Sequence, residues 1–593
     1  MRFSLPLLYY KLKKRGFFGE YKDRPLLDEI LGIIEQAVSK TPSLTFVQLP
    51  PGYGKTAIPF SISLWSILNE ETPIEHSIHV LPLRAIVEDV EARFTGYGRE
   101  VEGKSIGLKA LGVSKEDAEN IAGAQCMFIS GSPFFQKEGF ISTTLDTFAL
   151  LACKLPTSEV SKIADDKCEL YGHYEIARGA ILSSVVVFDE AHLFFEEREE
   201  NGKLKRAAET LIALMVALLE WRVPIVMMTA TLPNSIREEI IKNIREYVPE
   251  TEFNIFEYGQ GNRVDRDFEN EVLSTDLKTK LENDEDRYVN LICQAYDSYN
   301  RVLVVVNTIP RSIDLFNKLK NKGIEPILLH SKFTEKDRKN KLERLKKDNR
   351  WLCITTQVIE AGVDISSDIL FTDIAPICSI IQRAGRCCRP SHTYLKAGEV
   401  IINVSKESKN AAEKVYDKNK VESTYRELTN ISKSFCWHSY QDYFPLIKKI
   451  YDGRTRLELG YLFITIRNIF EDPYNESHEA LDYLLELGSF TRDSLLIPAI
   501  VSEKGEIKSL EDLRNKSSLF IPIEDDDLKT ICKKYDREAL FIGKEKKIEE
   551  KFVSEEIIKN KKKLTLEVIS GRIRAFRIPK EIYDEECGLK LWV

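Results

Sequence analysis

Apolar residues fall in short, nearly unbroken runs along this chain, separated by longer stretches of helical spacing. The first runs are LTFVQLP (44–50), SIHVLP (77–82), QCMFIS (125–130), SVVVFDEAH (184–192) and PIVMMTAT (224–231). Runs of Val, Ile and Leu without polar alternation predict strands of a parallel sheet covered on both faces. Each ends in polar or glycine residues, where open α/β sheets bind ligands. A charged stretch at 258–267 predicts a linker, and beyond it the rhythm returns in RVLVVVNT (301–308), IEPILLH (324–330), WLCITT (351–356), DILFTD (368–373) and GEVIINV (398–404). The expected fold class is α/β, with two similar parallel-sheet domains in tandem. After about residue 410 helical, aromatic and charged segments take over. The predicted boundaries are 1–260 and 261–435 for the two α/β domains and 436–593 for a smaller C-terminal accessory domain.

Composition narrows the class. A length of 593 residues suggests three or four domains, and 43% hydrophobic residues suffice for large cores. The longest clear apolar run, LIALMVALL (211–219), reads as a buried helix and is too short to span a bilayer, so no membrane partner is expected. Eleven scattered cysteines without a C-x-x-C pair indicate free thiols, no structural zinc and a cytoplasmic location. With a net charge of -8, any nucleic-acid contact has to use a local groove.

The candidate chemistry begins at QLPPGYGKT (48–56). Glycines in a phosphate loop let backbone N–H groups turn toward phosphate oxygens. Pro51, Gly52, Tyr53, Gly54, Lys55 and Thr56 form the candidate nucleotide loop, although Leu49 stands where the usual motif has its first glycine. Lys55 would reach the β- and γ-phosphates of ATP, and the Thr56 hydroxyl would hold Mg²⁺. FDEAH (188–192) supplies the other half: Asp189 as the water-mediated Mg²⁺ partner and Glu190 as the group that orients and deprotonates the attacking water. An isolated GYGKT is also compatible with a surface turn; the acidic pair downstream in the same domain argues against that.

LPPGYGKT, FDEAH, TATLP (229–233), VIEAGVDIS (358–366) and QRAGRCCR (382–389) together resemble the ordered motifs of superfamily-two DExH helicases over roughly residues 20–405. In that group the loop commonly starts Ala-Pro-Thr-Gly, which accounts for Leu49. STTLDTF (142–148), VVVNTIPRSIDLFNKLK (304–320), LLHSKFTEKDR (328–338) and the ending YDEECGL (583–589) are similar to the CRISPR type I interference helicase, recruited by the Cascade surveillance complex with its crRNA.

The resemblance implies two RecA-like domains that close around ATP. Arg386 and Arg389 are then expected as arginine fingers, Gln382 as a water-positioning group, and Gly362 and Asp364 as nucleotide contacts. His192 either bridges to Gln382 or only satisfies a core hydrogen bond. Thr229 and Thr231 would couple hydrolysis to strand movement or only cap the strand end, and Arg383 is expected either at a solvated basic helix start or as a salt-bridge partner. Nucleic-acid candidates are Arg84, Thr143, Thr144, Asn307, Thr308 and Thr356, directed at phosphates and sugars of single-stranded DNA. The basic runs at 337–347 and 559–563 could extend that path or be solvated faces.

Two departures matter. The family carries a His/Asp metal-dependent nuclease, but none of the 8 histidines here is followed by Asp and only about 40 residues precede the first strand. A helicase subunit with a separate HD nuclease is therefore expected. Leu27 also replaces the glutamine of the family's Arg-Pro-x-Gln adenine reader. The implied activity is an ATP-dependent single-stranded DNA translocase with 3′ to 5′ polarity. A DNA-repair or RNA helicase, and a binding subunit using ATP only as a switch, are the alternatives.

Overall fold

The computed structural model describes residues 3–19, 22–97, 104–127, 129–130, 132–164, 174–195, 206–360, 365–389, 397–432, 435–451, 457–471, 477–543 and 547–591. Backbone contacts divide the chain into two units. The first comprises Met1–Pro156, Leu170–Leu273 and His438–Ala480; the second comprises Thr157–Glu169, Ser274–Trp437 and Leu481–Val593.

The first unit is built on strands β1 (Ser43–Gln48), β2 (His76–Leu81), β3 (Ala122–Cys126), β4 (Ile129–Ser130), β5 (Phe140–Thr144), β6 (Ser184–Phe188), β7 (Ile225–Thr229) and β8 (Glu252–Glu257). Among the described residues they form one sheet in the order β4-β3-β5-β2-β6-β7-β1-β8. Neighbours are parallel except β3 and β4. The apolar runs explain the centre of this sheet, since β1, β2, β6 and β7 are buried at every residue. The 211–219 run lies, as expected, in a buried helix, Arg206–Glu220, and the helix Tyr461–Glu471 packs against it.

The second unit repeats the plan with β9 (Asp276–Glu282), β10 (Arg301–Val305), β11 (Ile327–Leu329), β12 (Trp351–Thr355), β13 (Ile369–Asp373) and β14 (Ala397–Asn403), in the order β11-β12-β10-β13-β14-β9 and parallel throughout. It also holds a smaller mixed sheet of β15 (Leu496–Val501), β16 (Phe520–Glu524), β17 (Glu538–Ile542), β18 (Ile548–Phe552) and β19 (Ile573–Ile578), with its own apolar core. A short hairpin of β20 (Tyr583–Asp584) and β21 (Gly588–Leu589) follows. The fold is thus two parallel-sheet α/β assemblies with a further sheet.

Several local expectations need correction. QCMFIS is not one strand: β3 begins three residues before it and a turn separates β4, which runs antiparallel. In IEPILLH only Ile327–Leu329 is strand. The charged 258–267 stretch is no free linker, because Tyr258 and Asp265 are buried. The Tyr258 ring sits edge-on to that of Tyr53, and Asp265 accepts the Tyr53 hydroxyl at 2.8 Å, so an aromatic core holds this charged segment down.

Candidate nucleotide site

The carboxyl ends of β5, β2, β6, β7 and β1 lie level, as the pairings Leu81 with Thr144, Val80 with Phe188 and Gln48 with Thr229 require. This edge gathers the candidate residues of the first unit. The loop 49–56 leaves β1 and enters the helix Ala57–Leu68. Gly52 and Gly54 have φ of 80° and 104°, values that favour glycine and turn their peptide N–H groups out of the helical direction. The Lys55 ammonium stands 3.8 Å from the Glu190 carboxylate and 3.5 Å from the Leu49 carbonyl, on the path a phosphate chain would follow.

Tyr53 behaves differently from its loop neighbours. Its side chain is fully buried, its hydroxyl is held by Asp265, and its ring meets Phe268 edge-on. Burial and the Asp265 carboxylate push its ionisation far up. Tyr53 therefore anchors the loop, and only its backbone is left to meet a nucleotide. Arg24 stacks its guanidinium over Phe268 and pairs with Glu271 at 3.1 Å. Leu27, at the position expected to read adenine, is fully buried and apolar.

Asp189 follows β6 directly and is buried. Its Oδ1 accepts the Glu190 N–H at 2.8 Å and its Oδ2 lies 3.2 Å from His79 Nε2. Burial opposes its ionisation, but these hydrogen bonds and the Lys55 charge outweigh it and hold the carboxyl below its ordinary range. Glu190 is in the left-handed region at φ 47°, a conformation that costs a non-glycine residue of order 1 kcal/mol and clusters at functional sites. His192 Nδ1 is 3.0 Å from Thr229 Oγ1, which also accepts the Thr231 N–H at 3.2 Å. Burial, and then the Lys55 charge, push His192 down to about 3, so it is neutral. Its Nε2 is buried and has no partner among the described residues. The alcohol of Thr56 and the carboxylate of Asp189 are hard oxygen donors of the kind Mg²⁺ takes alongside phosphate and water, so the residues present fit that ion. Among the described residues no group of three or more His, Cys, Asp or Glu could hold a metal on its own.

In the second unit the QRAGRCCR arginines separate sharply. Arg383 is wholly buried. It donates to Glu360 Oε1 at 2.8 Å, Thr372 Oγ1 at 2.9 Å, the Asp373 carbonyl at 3.2 Å, Asn307 Oδ1 at 3.0 Å and the Tyr416 hydroxyl at 3.0 Å. Asp373 in turn takes a bidentate pair from Arg311, at 2.7 and 2.9 Å, and Arg311 also reaches Glu285. Sequence reasoning missed Arg311, Asp373, Glu360 and Glu285; the two residues PR in NTIPRS and the D of LFTD carried no visible signal. Arg386 is half-buried, and it donates to the Ile359 and Glu360 carbonyls at 3.2 and 2.8 Å. Arg389 is also half-buried, its N–H on Ser366 Oγ. Gln382 is buried, its Nε2 without a partner among the described residues. Gly362 and Asp364 lie outside the described residues.

The nucleic-acid candidates are mostly spent inside the protein. Thr143 is buried and donates to the Gln125 carbonyl at 2.6 Å, and Thr144 caps the helix Leu145–Ala152. Asn307 is a hub beneath Arg383, and Thr356 is buried at the head of a short 3₁₀ turn. Thr308 caps the helix Ile309–Asn321 and is half-buried, as is Arg84 at the start of the helix Arg84–Thr95. The basic run at 559–563 meets acids: Lys559 pairs with Glu555 at 2.6 Å, Lys562 with Glu486 at 2.9 Å, and Lys563 with Glu556.

Residues 298–392 match the family described as CRISPR-associated nuclease/helicase Cas3, C-terminal. A putative CRISPR-associated nuclease/helicase Cas3 of Methanocaldococcus jannaschii is 26% identical over 305 residues, covering 49% of this chain and 39% of the relative. The Cas3 relatives of Methanothermobacter thermautotrophicus and Thermoproteus tenax are likewise spanned over only 25% and 55% of their length. Among solved structures, T. fusca Cas3 shares the fold with a TM-score of 0.58 at 15% identity, covering 86% of this chain and 65% of that one. A CRISPR RNA-guided surveillance complex in its pre-nicking state contains a chain of the same fold, with a TM-score of 0.53 at 16% identity over 87% of this chain and 64% of that one.

Proposed function

We propose that this chain, a superfamily-two helicase of the Cas3 type, hydrolyses ATP to move along single-stranded DNA, in the 3′ to 5′ direction, during CRISPR interference. One observation carries the reading: Lys55, Asp189 and Glu190 converge at the level ends of β1 and β6, with Lys55 and Glu190 3.8 Å apart. The loop N–H groups of 52–56 and the Lys55 ammonium bind the phosphates. Thr56 and Asp189 would hold Mg²⁺, which would supply positive charge to the phosphates. Glu190 takes the proton of the attacking water, and its left-handed backbone aims the carboxylate away from the strand. Arg386 and Arg389 bring positive charge to the transferring phosphoryl group, worth about 10³–10⁵ in rate. Gln382, with a buried amide awaiting an acceptor, helps position the water.

Arg84 and Thr308, the half-buried candidates, contact DNA phosphates. The CRISPR-associated relatives and the fold shared with a surveillance complex support work with Cascade and its crRNA. The displaced strand is passed to an HD nuclease, which we propose sits on a separate subunit. The test is ATP turnover by Lys55→Ala and Glu190→Gln proteins. Both are expected to lose hydrolysis, by about 10²–10⁴-fold for the loss of the base, while DNA binding survives. Wild-type turnover by Glu190→Gln would refute the assigned base.

A further inference from the structure

His79 is an unexpected residue: a fully buried histidine in the middle of the apolar strand β2. Its Nε2 faces Asp189 Oδ2 at 3.2 Å, and the edge of its ring rests on Phe140 with centroids 6.0 Å apart. A carboxylate can only accept, so Nε2 carries a proton. The ring's Nδ1 is buried and has no partner among the described residues. An orphaned buried nitrogen is unfavourable, so the strand position would be better filled by an aliphatic residue unless the Nε2 bond matters. The other Asp189 oxygen is fixed by the Glu190 N–H at 2.8 Å. The two donors together leave Asp189 one orientation.

We infer that His79 is a positioning residue that aims the Asp189 carboxylate at the Mg²⁺ of the nucleotide. This rests on Asp189 serving that ion. The logic is that of outer-shell partners of metal ligands, whose loss typically weakens metal affinity about 10–100-fold. His79 is wholly buried and acts through Asp189.

The test uses Mn²⁺ as the probe, its binding in the presence of a non-hydrolysable ATP analogue read by electron paramagnetic resonance. His79→Leu is expected to weaken Mn²⁺ about 10–100-fold, and to raise the Mg²⁺ needed for half-maximal hydrolysis while turnover at saturating Mg²⁺ recovers. His79→Gln, which keeps an N–H donor of similar reach, should bind Mn²⁺ close to the wild type. His79→Asn, whose donor is too short, should behave like His79→Leu and covers the case in which the leucine protein does not fold. A simple packing role would lower the melting temperature of all three without moving the Mn²⁺ affinity. Wild-type Mn²⁺ affinity in folded His79→Leu or His79→Asn overturns the inference, provided Asp189→Asn loses the ion. Wild-type affinity in Asp189→Asn would instead remove the premise that Asp189 serves Mg²⁺.

Discussion

The polar residues at the strand ends of the two α/β units are treated in opposite ways. Around Asp189 in the first unit, hydrogen-bonding capacity is held back. Glu190 sits at φ 47°, and among the described residues one ring nitrogen each of His79 and His192 is buried without a partner. Around Asp373 in the second unit the charged groups are paired: Arg383 makes five hydrogen bonds and Arg311 grips Asp373 bidentately, while among the described residues the Tyr288 hydroxyl and the Gln382 amide nitrogen are left without a partner. Buried unpaired polar groups and left-handed non-glycine residues are unfavourable and persist where function needs them, whereas a fully satisfied network makes a rigid scaffold. The difference separates chemistry from support better than residue type does, since both neighbourhoods are rich in acids and bases.

The largest expected effect breaks the comparison within one motif. Arg386→Ala should lower ATP turnover by about 10³-fold or more and leave the melting temperature near the wild type. Arg383→Ala should do the reverse in kind: it strands the buried Glu360 carboxylate and lowers stability by about 3–5 kcal/mol, read by denaturant unfolding. Equal stability losses in the two proteins would show that the contrast between them is false.

Acid should expose the next difference. Burial pushes His76 down to about 4 and His192 and His330 down to about 3. An unfolded histidine titrates near 6.5, so between about 6.5 and 3 the unfolded chain binds more protons and stability falls as pH falls. Thermal melts should therefore be flat above pH 7 and decline below 6.5. His330→Gln should flatten that decline, because His330 has both nitrogens engaged, with the Cys587 carbonyl and the Lys332 N–H, and cannot take a second proton without losing a bond. A wild-type slope in that variant would contradict the assignment.

The smallest effect concerns the C-terminal hairpin. The Tyr583 hydroxyl receives the Thr334 N–H at 3.1 Å and bonds Asp337, tying the hairpin to the segment after β11. Tyr583→Phe should cost about 1 kcal/mol in denaturant unfolding and leave turnover intact.

Much of the architecture was legible in the chain because central parallel strands are buried on both faces and must be apolar. The tandem parallel sheets follow from that. β5 (FISTT), β8 (EFNIFE) and β9 (DLKTKLE) were not legible: two lie at sheet edges where polar residues are tolerated, and β5 carries threonines used for internal bonds. In the candidate site, the order of GKT and DEAH pointed to residues that meet at one sheet edge, since backbone loops at strand ends are local features. What a local pattern does not carry is direction. Tyr53 turns into the core while Lys55, two residues on, turns to Glu190. His79 meets Asp189 only because β2 lies beside β6. Arg383 lies in the helix Ile377–Ala384 and Arg386 in the turn beyond it, and the string RAGR does not reveal which of them is buried.

The central claim is a motor driven by single-stranded DNA. Steady-state ATP turnover by the purified chain, measured with single-stranded DNA, with single-stranded RNA and with neither, tests it most directly. The account predicts strong stimulation by DNA, little by RNA, and none in Glu190→Gln. Stimulation by RNA over DNA, or equal turnover in all three conditions, would contradict it.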